Sequence, residues 1–400
     1  MTESIRPFLA PMRARAANEP GRVSTPLELF FDLCFVVAVA QAAAPLHHGV
    51  AAHHIGHALP GYLMVFFAIW WAWMNFTWFA SAYDTDDVVY RLTTLVQVAG
   101  ALVLAAGVQQ AFEDGDFVLV SSGYAVMRLA LVPQWLRAAR SDPPRRPTAI
   151  RYAIGISVLQ VLWLLRLLVP HDEPALFYPS FVLLALLELA VPAWAETAPG
   201  GPTTYHPHHI AERYGLFTII VLGEAVASAT VAFRGALDEG GEHTAGLLRL
   251  TLAGLVIVFA LWWVYFDRSA HGLLTSLRTS LMWGYGHYFI FASAAAVGAG
   301  LGVGADYLTG HADISRTIAA YAIAVPVAIY LFFVWLLHIR PHQTGTALAT
   351  MPVGIVAILV TPLLPASIEI LAVLLVAMVA LTLWRRRAGG PVHIGASPNT

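Results

Sequence analysis

The sequence predicts an all-α polytopic membrane protein of about twelve transmembrane helices, arranged as two parallel six-helix repeats. Three observations predict it. Hydrophobic residues make up 58% of the chain and charged ones 12%, with a mean hydropathy of +0.68, whereas soluble domains carry roughly 25% charged residues. Twelve segments approach the roughly 20 apolar residues that a span needs. Two features also recur at a spacing of 192 residues: the intramembrane carboxylates Asp32 and Glu224, and the run Phe67-Ala68-Ile69-Trp70-Trp71, echoed by Phe259-Ala260-Leu261-Trp262-Trp263.

The segments follow in order. The first, 26–45, opens on a capping box, with Thr25 as N-cap, Pro26 at the first helical position and Glu28 three residues after the cap. The second, 60–80, carries the first Trp pair and Asn75. The third, 88–110, is divided from the fourth, 116–137, by the acidic Glu113, Asp114 and Asp116. The fifth, 150–169, follows an arginine-rich loop, and the sixth, 177–194, follows Asp172 and Glu173. The seventh, 209–231, holds Glu224, and the eighth, 246–266, ends on the second Trp pair. The ninth and tenth are 280–303 and 314–338. The eleventh, 347–363, is short and punctuated by Pro352, Pro362 and Pro365, so a kink or tight pairing with the twelfth, 366–384, is expected.

Adding 192 to the boundaries of the first six segments lands close to those of the second six. The expected organisation is an N-terminal segment (1–24), a first repeat (25–196), a second repeat (197–387) and a loose tail (388–400). Six is even, so both repeats enter the bilayer in the same direction, about a pseudo-twofold axis along the membrane normal. All 22 basic residues are arginine. Arg6, Arg13, Arg15 and Arg22, the group from Arg137 to Arg151, Arg268, Arg278, Arg340 and Arg385 to Arg387 all fall on one side of a twelve-helix count. The positive-inside rule makes that side, with both termini, cytoplasmic. The polar, arginine-bearing start does not read as a cleavable signal. A net charge of −2 and the absence of a basic stripe give no reason to expect nucleic acid. The single cysteine, Cys34, excludes an intrachain disulfide and a cysteine-based zinc site.

A carboxylate in hydrocarbon costs about 2.5–3.5 kcal/mol on insertion scales, so one in each half suggests a role. Asp32 lies about 9 Å of helix rise past Pro26. The offset pairs Asn75 with Asp267, so Asp32, Glu224, Asn75 and Asp267 are expected to form a polar cluster near the pseudo-axis. Trp71 and Trp263, four residues before Asn75 and Asp267, would wall it. Glu28 reads as a cap. Arg128, Arg166 and Glu188 lie in spans of the first half without counterparts in the second, and an interhelical pair between Glu188 and one arginine is expected. Tyr124, Gln97 and His287 are weaker polar candidates. Histidines cluster at His47, His48, His53, His54 and His57 and again at His206, His208 and His209. His53 and His57 have a spacing that lets two imidazoles share a metal, but no acid or cysteine completes the set, and a solvated, pH-responsive loop is the simpler reading. No phosphate loop, nucleophile elbow or His-Glu-x-x-His run occurs, so neither an enzyme nor a bound cofactor is expected.

The stretch from Thr25 to Leu33 (Thr-Pro-Leu-Glu-Leu-Phe-Phe-Asp-Leu), with that from His209 to Glu224, closely resembles the bacterial low temperature requirement A (LtrA) family. The resemblance spans almost the whole chain and implies a polytopic protein of the bacterial inner membrane. A weaker one runs to the lysosomal potassium channels built from tandem six-helix repeats. Their first and seventh helices line the pore and carry Arg-x-x-x-Phe-Ser-Asp. Here Phe30-Phe31-Asp32 matches in part and Pro26 stands where the arginine would be. That kinship implies a central pathway beside helices 1 and 7.

Three function classes follow. One is a transporter or channel for a small ion or solute, with Asp32 and Glu224 as cation or proton ligands. The second is a noncatalytic membrane factor or sensor in low-temperature or stress adaptation. The third is a membrane enzyme or metal-handling protein that uses the histidines. The bilayer and the small solute are the expected partners, and a homodimer is compatible with the sequence.

Overall fold

The computed structural model describes residues 7–239, 243–345 and 347–388; Arg6 and residues 389–400 of the expected tail 388–400 lie outside the described residues, and Ala388 ends the last helix. Each of the twelve segments is a helix: α1 (Pro26–Ala51), α2 (Ile55–Tyr83), α3 (Val88–Glu113), α4 (Val118–Ser141), α5 (Arg146–Arg166), α6 (Pro174–Glu196), α7 (Pro207–Glu239), α8 (Thr244–Phe266), α9 (Leu277–Thr309), α10 (Arg316–Val334), α11 (Ala347–Val360) and α12 (Ser367–Ala388). Ten are long and apolar enough to cross a membrane. The exceptions are α4, diluted by Arg128, Arg137 and Arg140, and α11, which is short and ends in a 3₁₀ turn at Thr361–Leu363.

Local chemistry sets the ends. The capping box at Thr25 is formed in full, with Thr25 accepting from the Glu28 amide and Glu28 from the Thr25 amide. Asp87 caps α3, Ser276 caps α9 and Ser315 caps α10. Gly310 closes α9 at φ 76°, a left-handed value that glycine adopts without a Cβ clash. α10 passes into a π-helical turn at Trp335–Ile339.

In the first half α1 packs on α2 and α3, α3 on α4, and α4 on α2 and α5. In the second half α7 packs on α8 and α9, α9 on α10, and α10 on α8 and α11. The halves meet where α1 contacts α7 and α9, and where α2 contacts the same two helices. The tight pairs rest on glycine. A Cβ at Gly123 of α4 would come within 2.3 Å of the Leu104 amide nitrogen, and one at Gly300 of α9 within 2.2 Å of the Ala322 carbonyl. Backbone cannot yield as a side chain does, so Gly123→Ala is expected to destabilise by about 1–3 kcal/mol through overpacking. A denaturant midpoint equal to that of wild type would contradict this.

The core is aromatic: Trp70, Trp71, Trp73, Phe31, Phe35 and Tyr214 are all fully buried. The outward faces are apolar too, with Leu33, Val158, Val182, Phe259 and Val373 more than half exposed. An apolar exterior over a packed interior is what a lipid bilayer requires.

Candidate functional site

Three constellations of interior polar groups bear on the expected site. The first joins the halves at the level where α1 and α7 begin. Arg213 of α7 donates to Asp32 from both Nε (3.0 Å) and Nη2 (2.5 Å), and Trp73 Nε1 donates to the same carboxylate at 2.6 Å. Arg213 Nη1 also stands 3.0 Å from Glu28 Oε1, which has His209 Nε2 at 3.1 Å and Arg22 Nη2 at 3.6 Å. None of these contacts at Oε1 has hydrogen-bond alignment, and those of the two arginines are charge contacts. Glu28, Asp32, His209 and Arg213 are each 0% exposed. Arg22 reaches on to Asp84, which Arg15 also approaches, both at 3.5 Å. Three carboxylates thus face three guanidiniums.

Asp84, in the turn after α2, is pushed up to about 6, first by burial and then by Glu28, against the pull of Arg22 and Arg15. A carboxyl held above its exposed value of about 3.9 favours folding fully below about pH 4, and that contribution is lost as the pH rises through about 6. Asp84→Asn cannot ionise. Its melting temperature is expected to gain on that of wild type as the pH is raised from about 5 to about 7.5. A difference independent of pH would contradict the assignment.

The second constellation lies inside the first half. Glu188 accepts from Arg128 Nη2 (2.6 Å), Tyr124 (2.9 Å), Trp71 Nε1 (2.9 Å) and Trp163 Nε1 (3.2 Å). The expected partner of Glu188 is therefore Arg128. Arg166 does not reach it, and donates instead to the Phe177 carbonyl at 3.1 Å.

The third is a cavity of about 330 Å³ between α1, α7, α8 and α9, at the level where α1 ends. Glu224, Ser228, His47, Asp306, Thr309 and His311 line it. His47 Nε2 lies 2.7 Å from Asp306 Oδ2. Among the described residues the Glu224 carboxylate has no hydrogen-bond or ion-pair partner.

The four-residue cluster expected around Asp32 is not formed. Asp32 lies six residues into α1 and Glu224 seventeen into α7, a difference in depth of about 16 Å. The 192 offset assumes that the two helices start alike, but α7 begins eleven residues before Pro26 plus 192. Between Asp32 and the cavity lies an apolar plug. Trp73 stacks on Phe217 at 4.4 Å, both rings contact Phe291, and Phe35, Val39 and Val221 are fully buried around them. Asn75 instead turns its amide to the Trp71 carbonyl and lines a pocket of about 30 Å³ with Trp71 and Glu196. Asp267 caps the end of α8, half-buried. Trp71 is fully buried, but Trp263 is 44% exposed and faces outward, so the two tryptophans do not wall one site.

The histidine pair also separates. His53 sits in the turn before α2 at φ 61°, off any helical face, with Nε2 at 2.6 Å from the Asp313 carbonyl, whereas His57 Nε2 contacts the Phe112 carbonyl at 3.2 Å. Among the described residues no group of three or more His, Cys, Asp or Glu is arranged to hold a metal. His287 is buried on α9 against Tyr265 and His338. Sequence reading passed over Arg213. The signal was available, since it is an arginine within a predicted span and four residues after His209.

Both signatures that carried the resemblance meet in this geometry, since Thr25 to Leu33 supplies Glu28 and Asp32 while His209 to Glu224 supplies Arg213. A family model of the bacterial low temperature requirement A protein (LtrA) matches residues 23–384. The chain belongs to the LtrA family. It is a multi-pass membrane protein. One similar chain, the uncharacterized protein RA0937 of Rhizobium meliloti (strain 1021), is 28% identical over 252 residues, covering 60% of this chain and 57% of that protein. The match thus spans little more than half the length of the relative.

Proposed function

We propose that this LtrA protein carries or conducts a small cation or cationic solute, with Glu224 as its ligand. One observation carries the reading: a carboxylate without a partner among the described residues lines an accessible cavity between the two halves. An unpaired acid is costly at membrane depth unless it faces water or a ligand. Serine, threonine and histidine side chains around it supply further donors and acceptors for a hydrated ion or an ammonium group. Toward the other face the route is shut by the Trp73–Phe217–Phe291 plug. Trp73 also donates to Asp32, so plug and ion-pair lock are one mechanical unit. Opening requires the Arg213–Asp32 contact to shift, which couples passage to movement of α7 against α1.

The matching helix adjacencies of the halves support a duplicated six-helix architecture, in keeping with binding at a repeat interface. Arg13, Arg15, Arg22, Arg137, Arg145, Arg268 and Arg340 gather at the α1-start face, while Arg166, Arg234, Arg249 and Arg316 lie toward the other. That excess supports a cytoplasmic location for both termini, in the inner membrane, with the cavity opening outward.

The experiment is side-specific labelling. Ser228→Cys in a Cys34→Ala background is expected to react with a membrane-impermeant thiol reagent from the outside, and a bound cation should slow the reaction in a saturable way. Lack of reaction, or no protection by any cation in a panel of inorganic and organic cations, would contradict the reading.

A further inference from the structure

Among the described residues, the interior charges Arg128, Arg166 and Glu188 leave one cation over. Glu188 balances Arg128, but Arg166, at the last turn of α5, has no carboxylate within ion-pair distance among the described residues. It is only 7% exposed, and its Nε has no acceptor. Its guanidinium lies 4.2 Å from the centre of the Phe177 ring and 5.4 Å from that of Phe181. Aromatic faces soften the burial of a cation, yet an N–H left without an acceptor still costs about 1–3 kcal/mol.

Arg166 lines a cavity of about 40 Å³ with Phe117, Val120, Ser121 and Tyr124. A single water needs about 10–15 Å³ of such space, so the cavity takes a few waters or one small ion and excludes a lipid headgroup. Phe117 and Val120 belong to the N-terminal turn of α4, a 24-residue helix whose N-cap side chain makes no capping hydrogen bond. The first turn of that helix, its Val118 amide already taken by Asp116, and the Arg166 guanidinium thus converge on one small space, with the Ser121 hydroxyl beside them. The nearby acids are accounted for. Asp116 accepts from the Val118 amide at 2.8 Å from an exposed position, Asp172 and Glu173 are exposed on the α5–α6 loop, and Glu188 is held by its four donors.

We propose that this cavity binds a small monovalent inorganic anion of the halide class, held by Arg166, Ser121 and the first turn of α4. The anion balances the buried Arg166 guanidinium and ties α4 to α5 and α6.

The test titrates chloride and bromide against gluconate at constant ionic strength, on the full chain in detergent, reading melting temperature and tryptophan fluorescence. Wild type is expected to show saturable stabilisation by both halides, with quenching by bromide through the neighbouring Trp163. Arg166→Gln should weaken the apparent affinity at least about tenfold, the loss expected for one charge-assisted hydrogen bond. Arg166→Lys should retain part of it, and Ser121→Ala should weaken it while leaving the charge in place. A wild-type response indistinguishable from that in gluconate would overturn the proposal, as would an equal response in Arg166→Gln. So would stabilisation by anionic lipid in nanodiscs with no halide effect, which would assign the arginine to a lipid phosphate. If Arg166→Gln does not fold, the wild-type titration and Ser121→Ala decide.

Discussion

Arg213→Gln is expected to lower stability by about 3–5 kcal/mol, the range for removing one partner of a fully buried ion pair. The cost comes less from the lost attraction than from what remains. Among the described residues Asp32 would keep only Trp73 as a donor, and Glu28 only His209, a distant Arg22 and its own cap. Two carboxylates would then sit in a water-excluded interface opposite a neutral amide. The control is compensation: adding Asp32→Asn and Glu28→Gln to Arg213→Gln removes the stranded charges and should recover a substantial part of the loss. Denaturant midpoints of the purified single and triple variants measure both. A single variant within about 0.5 kcal/mol of wild type would show that this network does not hold α1 to α7.

Glu224→Gln should do the opposite, leaving stability nearly unchanged while removing ligand response. The carboxylate has no partner to strand among the described residues and is half-buried beside open space. Its loss therefore falls on whatever occupies the cavity. A hydrogen bond to a charged group contributes about 1.5–3 kcal/mol, so cation affinity should fall about ten- to a hundredfold. The measurement is the ligand-dependent thermal shift of wild type and variant across alkali, alkaline-earth and organic ammonium cations. At a hundred times the dissociation constant a ligand stabilises by about 2.7 kcal/mol, well within reach of such an assay. A shift of equal size in both proteins would remove Glu224 from the site.

The contrast between these variants also shows how much of the molecule was legible in its sequence. The twelve apolar segments were readable because hydropathy and helix length are local properties, and the Thr25 capping box was readable for the same reason. That Arg128, Arg166 and Glu188 would include a buried pair followed from the cost of charge in hydrocarbon. Which arginine pairs was not readable, since Arg128 and Arg166 differ only in how α4 and α5 meet α6. The central error concerned Asp32. A constant offset suggested a symmetry mate in Glu224, but helix starts are set by caps and by the chain before them. α7 gains three polar turns at its start, in which His209 and Arg213 turn into α1. Those turns are buried because residues 7–24 cross beneath both halves: the Ala10 amide bonds Asp87, and the Ser24 amide bonds Glu212. A contact spanning 181 residues of sequence, such as Arg213 to Asp32, has no local signature. Trp263 was misassigned for a related reason, since an echoed motif preserves the helix but not the face that it buries.

The most direct test of the central claim is cation flux into proteoliposomes, with wild type, Glu224→Gln and Glu224→Asp reconstituted at equal density and each variant first shown to melt near wild type. Wild type is expected to support saturable uptake of at least one small cation, Glu224→Asp a reduced uptake, and Glu224→Gln none above empty liposomes. Uptake by Glu224→Gln equal to that of wild type would contradict a cation pathway through this cavity.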